Sequence, residues 1–240
     1  MRTVTPVLPT EIGVRGGLAY SLWLPEQATC GVVILHGAGS RKENHHDFAR
    51  AALGSGLAAL VFDQRGHGES EGALDDHALD EIAAMTALLR SKIGGSDAAV
   101  GLRGSSTGGY LAILAAPEVG AEAVVAICPA SAEGLRRGLA DEAFTFRADS
   151  GALDGFLSAH ELDDAVESMD APVLLLHAEG DERVPVEHSR ELAGRLRSPE
   201  SRLVTVPGGH HRSVQHDPEL VALTVRWLGR VLGAPAASDR

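Results

Sequence analysis

The feature that most constrains this chain is a series of short, predominantly apolar runs, each followed by a stretch with helical character. The runs fall at residues 31–35, 57–62, 98–102, 123–128, 172–176 and 203–206. A strand with one wet face alternates polar and apolar residues. Strands this short and this continuously apolar are covered on both faces, as in a parallel sheet between helical layers. The intervening segments fit that arrangement. Ile82, Met85 and Leu89 line one face of a helix over 80–92, and Gly94 with Gly95 stop it. Asp217 and Pro218 form an N-cap and first-turn pair ahead of Val221, Val225, Leu228 and Leu232, which marks a last helix that packs on the sheet. Upstream, Leu18, Tyr20, Leu22 and Leu24 fall at alternate positions after Gly16 and Gly17, with Ala19 and Ser21 between the first three, so residues 10–25 read as an antiparallel hairpin on the sheet edge.

Composition narrows the function classes. A chain of 240 residues, 44% hydrophobic and 22% charged, suits a single α/β domain over 1–240 with a core that needs no staples. Cys30 and Cys128, the two cysteines, sit in or beside apolar runs and read as core residues; neither a disulfide framework nor a metal cluster is expected. The formal net charge of −12 repels nucleic acid and anionic lipid. The opening MRTVTPVLPTEIG lacks the apolar core of a signal peptide, and no run approaches the roughly 18 apolar residues of a membrane span. The expectation is a cytoplasmic protein with a frayed GAPAASDR tail and no nucleic-acid partner.

Residues 131–168 break the alternation, being longer than one crossover helix requires. They hold Phe144, Phe146 and Phe156, three of the five phenylalanines. Two readings fit: an inserted helical lid whose apolar underside meets substrate, or two ordinary crossover helices whose aromatics join the core.

The strongest chemical signal is Gly104-Ser105-Ser106-Thr107-Gly108, a GxSxG pattern after one apolar run and before the small-residue segment 110–117. A tight strand-to-helix turn here exposes Ser106 at the carboxyl end of the sheet, and the flanking glycines admit neighbouring backbone. A serine hydroxyl is a poor nucleophile at neutral pH and needs a base held by a carboxylate. Asp181 follows the run at 172–176, and His210 with His211 follow the run at 203–206, both at strand ends where such a sheet carries its functional loops. Glu179 and Glu182 flank Asp181 as rival acids. His210, His211 and His216 lack the cysteines or carboxylates of a metal site. Gly66, Gly68 and Gly72 miss the spacing of a dinucleotide loop by one position. His45 and His46 are expected as exposed residues of a helix's first turn.

Four motifs, HGAGS at 36–40, FDQRGHGES at 62–70, GSSTGG at 104–109, and GDERVP with the later PGGHH, together resemble the α/β hydrolase superfamily. The likeness is to its serine esterase, monoglyceride lipase and serine aminopeptidase branch and runs from about residue 11 to 232. It implies an α/β hydrolase fold: a mostly parallel sheet of the eight-stranded type, helices on both faces, and a small lid insertion at 131–168. It implies Ser106 as nucleophile, Asp181 as acid, and a histidine of the PGGHH loop as base. Family loops carry one histidine where this chain has two; counting from the strand puts the base at His211, with His210 the alternative. The oxyanion hole would use the backbone N–H groups of Ala38 and Thr107, with His36 orienting the first of those loops. Asp63, Arg65 and Ser70 would be hydrogen-bonding or ion-pairing parts of a structural turn. No cofactor and no metal are implied. The substrate would be a small ester or similar acyl compound, with Phe144, Phe146 and Phe156 against its apolar part. The same residues also serve peptidases, thioesterases, lactonases and perhydrolases, and such a scaffold can act as a non-catalytic small-molecule receptor.

Overall fold

A computed structural model describes residues 6–234. The first five residues and most of the GAPAASDR tail lie outside the described residues. Eight strands form one sheet in the order β1-β2-β4-β3-β5-β6-β7-β8. They are β1 (Glu11–Arg15), β2 (Leu18–Trp23), β3 (Cys30–Leu35), β4 (Ala58–Phe62), β5 (Ala99–Ser105), β6 (Ala123–Ile127), β7 (Val173–Ala178) and β8 (Arg202–Val206). From β4 to β8 every pairing is parallel; β2 runs antiparallel to β4, and β1 antiparallel to β2. The hairpin expected at the edge is therefore present.

The continuous apolar runs have a direct cause in the layering. In β3, Val33 and Leu35 enter the core on one face of the sheet while Val32 and Ile34 enter the core on the other. Helices α1 (His46–Gly54) and α8 (Pro218–Val231) cover the second face. The first is covered by α2 (Ala78–Ile93), α3 (Thr107–Val119) and α7 (Val186–Arg195). Between β6 and β7 the chain forms α4 (Ala132–Ala140), α5 (Ser150–Ala159) and α6 (Leu162–Ser168), three helices where the sequence suggested either an inserted helical lid or two crossover helices. Phe156 is buried in the first-face core, and Phe144 and Phe146 pack on it.

Two helix boundaries behave as their sequences require. Gly94, at φ 130°, takes a backbone conformation that closes α2. Asp217 accepts hydrogen bonds from the N–H groups of Glu219 and Leu220, capping α8. The expectation for His45 and His46 was wrong. Residues Lys42–His45 form a 3₁₀ turn before α1 starts, which rotates His45 inward to 1% exposure beside Arg103, while His46 is half-buried edge-on against Trp23. Among the described residues no helix is long and apolar enough to cross a membrane.

Helix α8 lies so close to the sheet that a Cβ on Gly101 of β5 would sit 3.1 Å from Leu228 Cδ2. Leu228 is fully buried. Leu228→Ala should cost about 3 kcal/mol in urea unfolding, because it leaves a cavity under a helix that the glycine already brings to contact distance. A loss under about 1 kcal/mol would mean the helix collapses freely onto the sheet.

Candidate active site

Ser106 occupies the single residue between β5 and α3, at φ 53° and ψ −118°. Side chains rarely take positive φ, at a cost of about 1–3 kcal/mol, so the surroundings must hold it. They do. Ser106 N–H donates to Ile127 O at 2.8 Å, and its carbonyl accepts from Tyr110 at 3.0 Å and Ala130 at 3.1 Å. The flanking glycines allow backbone to meet backbone: a Cβ on Gly104 would lie 1.9 Å from Gly108 O, and one on Gly108 would lie 2.3 Å from Leu35 O.

Thirty residues apart in sequence, Asp181 and His211 meet where the loops after β7 and β8 emerge. His211 Nδ1 lies 2.7 Å from Asp181 Oδ2. A carboxylate only accepts, so Nδ1 carries the proton and Nε2 keeps its lone pair. The Asp181 side chain is fully shielded from solvent. Its Oδ1 accepts from the N–H groups of Arg183 at 2.8 Å and Val184 at 3.0 Å. Behind it, His177 Nε2 lies 3.5 Å from Oδ2 and 2.9 Å from Val184 O, while its Nδ1 meets Ser189 Oγ at 2.7 Å. Burial alone would raise the Asp181 pKa. The donors of His177, His211, Val184 and Arg183 outweigh it and hold the carboxyl well below its ordinary range.

The neighbours that could rival these residues are engaged elsewhere. His210 is exposed; its N–H donates to Ser213 Oγ, and its Nδ1 accepts from Arg212 N–H. Glu179 pairs with Arg190 at 3.2 Å, Glu182 receives the His211 N–H at 3.3 Å, and His216 pairs with Asp47 at 2.9 Å.

A cavity of about 950 Å³ is lined by Ser106, Thr107, Ala38, Phe144 and His211, among others. Ser106 and His211 share it without a hydrogen bond between them among the described residues. Ala38 and Thr107 line it too, and their backbone N–H groups have no acceptor among the described residues, that of Thr107 being the first amide of α3. Phe146 and Phe156 do not line this cavity. With Phe144 and Thr107 they border a separate apolar void of about 10 Å³.

The loop bearing Ala38 is bolted to the turn after β4. Gln64 N–H donates to His36 Nε2 at 3.0 Å, and the Gln64 amide donates to His36 O at 2.6 Å. His36 Nδ1 in turn donates to Gly37 O at 2.9 Å. Burial, with His67 alongside, pushes the His36 pKa down, so this ring stays neutral. Asp63 accepts from Lys42 N–H at 2.7 Å, Lys42 Nζ at 2.9 Å and Glu69 N–H at 2.9 Å; Arg65 pairs with Glu81, and Ser70 bonds Asp63 and Ala19. The structural turn expected of Asp63, Arg65 and Ser70 is thus built as read.

Sequence reasoning missed two contributors. His177 was legible in principle, as the one polar residue in the run LLLHA of β7, four positions before Asp181. Gln64 sat unmarked inside a motif read as a turn. Cys128 is the core residue expected of it, at φ 43°, and its sulfur lies within 4.8 Å of a carboxylate oxygen of Asp181 and a ring nitrogen of His211. Burial, and the charge of Asp181 after it, push its thiol up to about 12.

The depressed Asp181 fixes the sign of a pH effect. Its contribution to stability is complete above the unfolded carboxyl value of 3.8 and is lost as pH falls below it. Melting temperature followed between about pH 2 and pH 6 should therefore drop steeply at the acid end, and Asp181→Asn should flatten that limb. An identical acid slope in the variant would show that the carboxyl is not held this way.

Comparison with known proteins agrees with the architecture. A family model described as serine aminopeptidase, S33, matches residues 26–146, and one described as TAP-like protein matches 156–228. The chain is 28% identical to the monoacylglycerol lipase of Mycolicibacterium smegmatis over 254 residues, covering 86% of this chain and 89% of that protein. Est1E from Butyrivibrio proteoclasticus, solved with ferulic acid bound, superposes with a TM-score of 0.74 at 21% identity, covering 94% of this chain and 99% of its own. A soluble variant of monoglyceride lipase from Saccharomyces cerevisiae, in complex with a substrate analogue, gives 0.74 at 14% identity, covering 99% and 98%. With its order of strands and its match to the family model, the chain belongs to the α/β hydrolase superfamily, in the serine aminopeptidase and monoacylglycerol lipase branch.

Proposed function

We propose that this protein is a serine hydrolase that cleaves a small ester or related acyl substrate through an acyl-enzyme. The observation that carries the reading is the Asp181–His211 pair, with His211 Nε2 left as a base in the cavity that Ser106 lines. His211 takes the proton of Ser106 as the hydroxyl oxygen attacks the carbonyl carbon. Negative charge then develops on the carbonyl oxygen, where Ala38 and Thr107 N–H groups stabilise it, each donor being worth about 10² to 10³ in rate. His211 returns the proton to the leaving group, and water repeats the sequence to release the acid. Hydrogen bonds of this kind often close only when substrate is bound, which accounts for the open Ser106–His211 pair. Residues 131–168 act as the lid in this reading. Phe144 supplies an apolar wall to the cavity, while Phe146 and Phe156 back that wall from the adjoining void.

A second reading, aminopeptidase activity, draws on the glutamates of the cavity wall, since a carboxylate would hold a substrate ammonium group. Glu133 and Glu187 are paired with Arg137 and Arg190, whereas Glu191 of the same wall has no ion-pair partner among the described residues, which leaves one carboxylate for such a group. A panel of p-nitrophenyl esters of rising chain length, run beside an aminoacyl anilide, separates the two. The wild type should turn over esters, and Ser106→Ala should lower kcat by about 10⁴-fold or more with an unchanged melting temperature. Ester hydrolysis surviving in Ser106→Ala would remove the nucleophile; anilide hydrolysis without ester hydrolysis would favour the peptidase.

A further inference from the structure

We infer that His67 is a positioning residue that fixes the oxyanion loop and joins it to the aromatic wall of the cavity, an inference that rests on the proposed function. The ring makes two bonds of opposite sense. Nδ1 lies 3.0 Å from Arg65 O, which only accepts, so this nitrogen carries the proton. Nε2 is then a lone pair, and it receives the N–H of Gly39 at 3.1 Å. Burial holds the ring below its ordinary pKa, which keeps that lone pair available at neutral pH.

The consequence for Ala38 follows from the peptide planes. The plane that contains Ala38 N–H is held at its other end, where Gly37 O accepts from His36 Nδ1 and from Ser40 N–H at 3.1 Å. The next plane, Ala38 to Gly39, is held at its N–H by His67. With both planes pinned, the direction of the Ala38 N–H is fixed before substrate arrives, the preorganisation such a donor requires.

The other side of the ring faces the segment after α4. His67 stacks on Phe146 with centroids 4.2 Å apart and planes 25° apart, and Phe146 leans on Phe144 at 5.0 Å. That segment is also tied by backbone to the turn that carries His67, through Arg147 N–H to Gly66 O at 3.2 Å and Leu74 N–H to Arg147 O at 2.9 Å. One imidazole thus bonds the oxyanion loop and braces the wall that an acyl chain would touch. Displacement of Phe144 by a long chain would pass through Phe146 to the ring and on to Gly39, so His67 links chain length to the rate of the chemical step.

Two substitutions separate the two contacts. His67→Phe keeps a ring against Phe146 and removes the acceptor; His67→Gln restores an acceptor and removes the ring. In His67→Phe, kcat on the preferred ester should fall by about 10- to 100-fold with KM changed less than about threefold, because the lost interaction acts in the transition state. His67→Gln should recover most of kcat and flatten the dependence on acyl chain length. Amide hydrogen exchange over residues 36–41 reads the loop without any substrate: it should accelerate in His67→Phe and return toward wild type in His67→Gln. Unchanged exchange in a folded His67→Phe overturns the inference, whatever esters the protein accepts. Faster exchange with kcat unchanged, or equal loss in both variants, overturns it as well. A wild type that hydrolyses no ester defeats the proposed function, while the exchange experiment still decides the role of His67.

Discussion

The site depends on one backbone constraint, the positive φ of Ser106 between a buried strand and a buried helix. That conformation exists because the strand before it and the helix after it cannot move. Both are enclosed, and Gly104 and Gly108 let them approach to distances that any side chain would forbid. The α3 sequence TGGYLAILAAP has almost no polar surface, so the helix is buried nearly all round and its first amide stands at the sheet's rim. Strain at one residue is thus offset by packing of two whole elements.

Around that turn, an otherwise apolar sheet carries a small number of buried polar groups, and nearly all of them organise the loops of one edge. Asp181 is surrounded by donors, so it stays ionised and holds His211 in one tautomer. Asp63 plays the corresponding part on the other side of Ser106, collecting Lys42 and Glu69. Arg103, buried in β5 with its guanidinium 4.0 Å from the centroid of Phe48, donates to Gln215 O at 3.1 Å. It therefore ties the strand that leads to Ser106 to the segment that follows His211. Each of these groups would be costly unpaired in this setting. Their pairing gives three loops, distant in sequence, a common frame.

The sheet was legible because double-sided burial imprints itself on every residue of a strand, as in Val32 to Leu35. The order of the chemical groups was legible for a related reason: strand ends are where side chains leave the core, so Ser106, Asp181 and His211 each followed an apolar run. Burial of polar residues was less legible. His45 carries no local mark of its surroundings, being turned inward by a 3₁₀ turn, while His177 was marked only as the one polar residue of an apolar run and gains its meaning from a loop four residues on. The 131–168 segment was read from its length and its phenylalanines. Length correctly signalled extra structure, but aromatic content could not tell a residue that faces the cavity, Phe144, from ones that fill the space behind it, Phe146 and Phe156.

The central claim is that Asp181 and His211 make Ser106 reactive. A fluorophosphonate probe, followed by mass spectrometry of the intact protein and of its peptides, tests it directly. The account predicts a single adduct on Ser106, formed about 10²-fold or more slowly in a folded His211→Ala variant. Labelling at another residue, or labelling of Ser106 at the same rate without His211, would contradict it.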